Sequence, residues 1–107
     1  MRRLYLKSKK AKLGYFSYTI HFSKIQDENH GITDLETKEI WINPKDALQI
    51  QRDTLFHELL HVASEDVPSL KMDEYKGDRE EDTIRLQSPR MMQFLSDNKW
   101  IRDFLYG

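Results

Sequence analysis

Residues 54–63, "TLFHELLHVA", decide how this chain is read. They hold His57 and His61 one helical turn apart, with Glu58 beside the first. Side chains four positions apart leave the same face of a helix. Both imidazoles can therefore reach one ion about 2.0–2.1 Å from each ring nitrogen. Glu58, one residue round the helix, is not needed as a ligand and is set to accept a proton from water at such an ion. Leu55, Leu59, Val62 and Ala63, with Phe56 and Leu60, cover the rest of the helix with apolar surface. The spacing predicts a helix seated in the core with its histidines facing a cleft, which is what a preorganised site requires. A core helix with two satisfied histidines would show the same apolar pattern, but two histidines flanking a glutamate at this spacing seldom arise by chance.

A catalytic zinc commonly has three protein ligands and one open position. The chain has no cysteine, so the third ligand must be a carboxylate or another histidine. Glu65 continues the spacing, but on a straight helix it lies about 12 Å beyond His57. No histidine follows His61, while His21 and His30 lie upstream on a strand and in a loop. The remaining source is the acidic cluster Asp78, Glu80, Glu81 and Asp82, at the start of the next helix. Glu81 shares a face with the apolar Ile84, and Glu80 is the next candidate. Acids also favour a helix N-terminus through its dipole, whatever else they do.

With 107 residues the chain has the length of one domain with a modest core. Hydrophobic residues make up 38 % and charged ones 33 %, a folded rather than disordered composition. Lack of cysteine removes disulfides, thiolate zinc sites and cysteine nucleophiles, and suits a cytoplasmic location. No apolar run approaches the ~20 residues that span a membrane, and no apolar stretch follows the basic N-terminal residues as a secretory signal would. The net charge of −1 hides an asymmetry. Residues 1–12 carry six of the seventeen basic side chains and no acid, leaving eleven against all eighteen acidic ones. Such an arm suits a solvated segment or an edge strand guarded by lysines, with Leu4 and Leu6 alternating with charges. As a nucleic-acid contact it rests on composition alone, and nucleic acid is not the expected partner.

Along the chain, "YFSYTIHFSK" (15–24) alternates Phe16, Tyr18, Ile20 and Phe22 as a strand does. Residues 26–31 read as a loop, and 31–43 as two short strands around a turn near Glu36–Lys38. Residues 43–66 read as a helix capped by Asn43, with Pro44 in its first turn and a break near Asp53 as an option. Residues 67–79 form an irregular or partly helical connection. Residues 80–98 form the next helix, where Pro89 predicts a kink or a restart capped by Ser88. Trp100, Ile101, Phe104 and Leu105 mark a short final helix.

Taken together, "GITDLETKEIWIN", "TLFHELLHVASED" and "EEDTIRLQSPRMMQFLSDN" resemble the zincin metallopeptidases of the gluzincin type. More closely they resemble small phage-encoded relatives of the ImmA/IrrE-like peptidases, over roughly residues 31–98. The sharply specific element is His57-Glu58-x-x-His61. The resemblance implies an α+β zincin-like fold: a small antiparallel sheet packed on the histidine helix and on a C-terminal, glutamate-bearing helix. It implies zinc held by His57, His61 and Glu81, with Glu58 as catalytic base. It also implies a protein or peptide substrate bound extended along the strand around Ile40–Asn43, and cleavage of a regulatory protein in a host cytoplasm. The family's aspartate four residues after the ligand glutamate is absent, because position 85 is Arg. That orienting role falls to Asp78, Asp82 or a backbone carbonyl, and Tyr75, His30 and Tyr106 are candidates for holding the oxyanion. The alternative class is a non-enzymatic interaction or inhibitor protein that keeps the scaffold with a structural zinc.

Overall fold

A computed structural model describes residues 7–25, 29–65 and 79–107, and gives the backbone alone at helical residues 65 and 79–86. Leu4 and Leu6, the residues 26–28 of the predicted loop and the connection over 66–78 lie outside the described residues. Four strands, β1 (Ser8–Leu13), β2 (Phe16–Phe22), β3 (Gly31–Asp34) and β4 (Glu39–Ile42), precede three helices, α1 (Leu48–Glu65), α2 (Arg79–Asp97) and α3 (Lys99–Tyr106). This is an α+β fold. Among the described residues, no helix is long and apolar enough to cross a membrane.

The strands form one mixed sheet in the order β1-β2-β4-β3. The expected all-antiparallel sheet is therefore corrected, because β2 and β4 pair in parallel. The cause is simple. After β2 the chain returns as β3 one strand-width further out, and the hairpin partner β4 fills the gap between them. β4 is thus bonded on both sides, by β2 and by β3. It has no free edge, so an extended peptide cannot pair with Ile40–Asn43 as expected. Among the described residues the outer strands of the sheet are β1 and β3.

Local chemistry sets both hairpins. Gly14 takes φ 71° in the two-residue turn between β1 and β2, which suits a hairpin turn whose first central residue needs positive φ. In the β3–β4 turn the Asp34 carboxylate accepts from the backbone N–H of Glu36 (3.0 Å) and Thr37 (3.1 Å). The period-2 alternation then divides the sheet. Ala11, Leu13, Tyr18, Ile20, Phe22, Ile40 and Ile42 are buried on one face, beneath the helices. The other face carries Ser8, Lys10, Lys12, Thr19, His21, Glu39 and Trp41.

From α1, Leu55, Leu59, Val62 and Ala63 enter the core; α2 adds Met91 and Phe94, and α3 adds Ile101. Phe56, expected inside, is 42 % exposed. The first helix starts later than expected. Asn43 Oδ1 accepts from Lys45 N at 3.0 Å, so residues 43–46 close as a turn and α1 begins at Leu48. No break interrupts it at Asp53. Nor does α2 restart at Pro89. A proline inside a helix costs about 3 kcal/mol. Pro89 lies on an exposed strip beside Ser88, while Met91 and Phe94 on the opposite side hold the next turn in the core.

At the α2–α3 corner, buried Asn98 fastens the helices to β1. Its amide donates to Lys12 O (2.8 Å) and Phe94 O (2.8 Å), and its Oδ1 accepts from Lys12 N (2.8 Å). Trp100 Nε1 donates to Lys10 O at 2.9 Å.

Candidate metal centre

Helix α1 lies across the β3 side of the sheet, and its residues 54 and 58 face that strand. The fit requires Gly31. A Cβ there would run into the Thr54 methyl and come within 3.1 Å of Glu58 Oε2 and 3.2 Å of Trp41 O. The bare backbone lets α1 sit close to β3. Two residues on, on the same face, Thr33 Oγ1 donates to Glu58 Oε1. Glu58 is 7 % exposed, so it enters the cleft as a buried, hydrogen-bonded carboxylate.

His57 and His61 stand outward on the cleft side of the same helix, both exposed. Their Nε2 atoms face each other 3.1 Å apart, with the rings nearly perpendicular at 86°. Nitrogens at two corners of a tetrahedral zinc shell lie about 3.3 Å apart, given Zn–N bonds of 2.0–2.1 Å. The pair fits that demand: the same nitrogen from each ring, at nearly the right separation, open to solvent. Two open pockets flank it. One is lined by Asn29, Gly31, Ile32, Thr33, Leu35, His57, Glu58 and His61. The other shares Gly31, His57 and Glu58 and adds His30, Ile50, Asp53 and Thr54.

The other two histidines differ. His21, on the far face of the sheet, donates from Nε2 to Glu39 Oε2 (3.0 Å) and faces Ser8 Oγ with Nδ1 (2.8 Å). It stacks on Trp41 with ring centroids 5.3 Å apart. The Thr37 hydrogen bond, and after it that of His21, hold the Glu39 carboxyl below the ordinary glutamate value. His30 donates from Nδ1 to Asp46 at 2.7 Å, on the rim of the cleft. It does not complete a metal shell: among the described residues no group of three histidine or acidic side chains could hold an ion.

Glu81 and Glu80 fall in the first turn of α2, but their side chains, like those of Glu65 and Asp82, lie outside the described residues, as do Asp78 and Tyr75. α2 does pack against this end of α1, where Gln87 Nε2 donates to Leu60 O (3.0 Å) and to Ser64 Oγ. Tyr106 lines a separate pocket with Arg102 and Asp103, away from the histidines. The structure thus brings His57, Glu58 and His61 together with two residues that helical periodicity cannot find, Gly31 and Thr33. The only sequence signal for them was a glycine opening a strand just ahead of the histidine helix.

No protein-family model, curated protein or solved structure matches this chain.

Proposed function

We propose that this protein is a zinc-dependent metallopeptidase of zincin-like architecture that hydrolyses a peptide bond in a regulatory protein. The observation that carries the reading is the convergence of His57 Nε2 and His61 Nε2, 3.1 Å apart, beside the buried carboxylate of Glu58. Zinc would be held by His57 and His61, with Glu81 as third ligand by the family resemblance. When bound, the ion supplies an acidified water and polarises the scissile carbonyl. Glu58 takes the proton from the attacking water and returns it to the leaving amine. The hydrogen bond from Thr33 engages only one carboxylate oxygen, leaving the other to accept that proton.

The open edge of the sheet supports a peptide as substrate. In the β3–β4 ladder, His30, Ile32 and Asp34 turn their backbone groups toward β4, as the Asn43 N to His30 O bond of 2.9 Å fixes. Gly31 and Thr33 therefore turn theirs outward, alongside the cleft. An extended chain paired there would lie beside Glu58, the role expected of Ile40–Asn43 passing to β3. By the resemblance, the setting is a phage-encoded protein acting in a host cytoplasm.

The test replaces Glu58 by Gln, which keeps size and removes the base. Zinc content and thermal midpoint should stay near wild type, while cleavage of a candidate partner protein falls about 10²–10⁴-fold. A Glu58→Gln protein that performs the biological function as well as wild type would replace this reading with that of a binding protein carrying structural zinc.

A further inference from the structure

Glu58 has three side-chain torsions, the last of them soft, so burial alone does not fix the plane of its carboxylate. Two residues of β3 do. Thr33 Oγ1 donates to Oε1, and Oε2 lies against the space left by the missing side chain of Gly31. Gly31 and Thr33 share one face of the strand, and their places are set by pairing with Ile42 and Ile40, both fully buried in the core. Threonine is stiff at χ1, so its hydroxyl oxygen is held in place. The strand that offers its outer edge to a substrate thus also grips the carboxylate in the cleft.

We propose that Thr33 is a positioning residue: its hydroxyl, with Gly31 beside it, holds Glu58 in the one orientation in which Oε2 faces the reacting water. This rests on the reading of Glu58 as the proton shuttle. The Thr33 hydroxyl is engaged with Glu58, while the backbone groups offered to a substrate are untouched by a change of side chain. Loss of the hydroxyl should therefore act through Glu58 on turnover and leave binding alone. A misplacement of about 1 Å in such a group costs up to roughly a hundredfold in rate.

Thr33→Val preserves shape and removes the donor, and Thr33→Ser preserves the donor. The zinc-loaded full chain is assayed with pools of internally quenched peptides, with Glu58→Gln alongside. The proposal expects kcat to fall about ten- to hundredfold in Thr33→Val, with KM and zinc content unchanged and most of the rate regained in Thr33→Ser. A crystal structure of zinc-loaded Thr33→Val should show the Glu58 carboxylate rotated away from position 33. Full turnover in Thr33→Val beside an inactive Glu58→Gln would overturn the positioning role and leave the peptidase reading standing. If wild type cleaves none of the peptides, or Glu58→Gln cleaves as well as wild type, the peptidase reading fails. The crystal structure then decides the grip by itself, and an unmoved carboxylate refutes it.

Discussion

Along β1 the outward carbonyl of Lys10 is taken by Trp100 and both outward groups of Lys12 by Asn98, whereas along β3 those of Gly31 and Thr33 meet no partner among the described residues. An uncapped edge invites pairing with other chains, and proteins usually blunt it. Here one edge is covered by buried Asn98 and partly buried Trp100 from the α2–α3 corner, and the edge left open runs beside His57, Glu58 and His61. The histidines divide the same way. His21, on the outer sheet face, has both ring nitrogens engaged and a tryptophan stacked on it. His57 and His61 direct their Nε2 atoms at each other, 3.1 Å apart. The satisfied histidine is tied into the sheet, and the converging pair is the one the proposed zinc would use.

The comparison can be broken by substitutions that ignore it. On the open side, Glu58→Gln should remove activity by orders of magnitude with little change in melting. On the closed side the reverse is expected. Asn98→Ala removes three hydrogen bonds and leaves Lys12 N–H and C=O without their partner at a corner where Asn98 is 6 % exposed. Its cost should be about 2–3 kcal/mol in denaturant unfolding, with zinc content unchanged. Stability equal to wild type would show that the β1 edge is held by packing alone.

The smallest effect belongs to the outer face. The Glu39 carboxyl is held low by Thr37 and His21, so its folded pKa lies below its unfolded one. Its contribution is present above the unfolded value and is lost as pH falls through the folded one. Glu39→Gln should therefore lower the thermal midpoint slightly at neutral pH, with the difference closing in acid. A gap that persists below the carboxylate range would assign the effect to Trp41 packing instead.

The site's helix is legible in the sequence because periodicity is local. His57 and His61 share a face by arithmetic, and Leu55, Leu59 and Val62 are buried as their spacing requires. Strands β2, β3 and β4 and helix α3 are legible for the same reason. The strand order is not. Whether β4 falls inside or outside β3 depends on its pairing with β2, about twenty residues earlier in sequence. Phe56 is apolar and so reads as core, but it faces a flank that no described element fully covers. Gly31, Thr33 and Asp46 are ordinary loop and strand residues until α1 is laid over β3. The start of α1 is not legible because Asn43-Pro44 suits a turn as well as a cap.

Metal content tests the central claim most directly. Purified protein, dialysed against trace zinc and analysed by plasma mass spectrometry, should hold about one zinc per chain. His57→Ala and His61→Ala should each lose it, while His21→Ala, on the outer face, should keep it. Protein that takes up no zinc, or variants at 57 and 61 that bind it as well as wild type, would contradict the account.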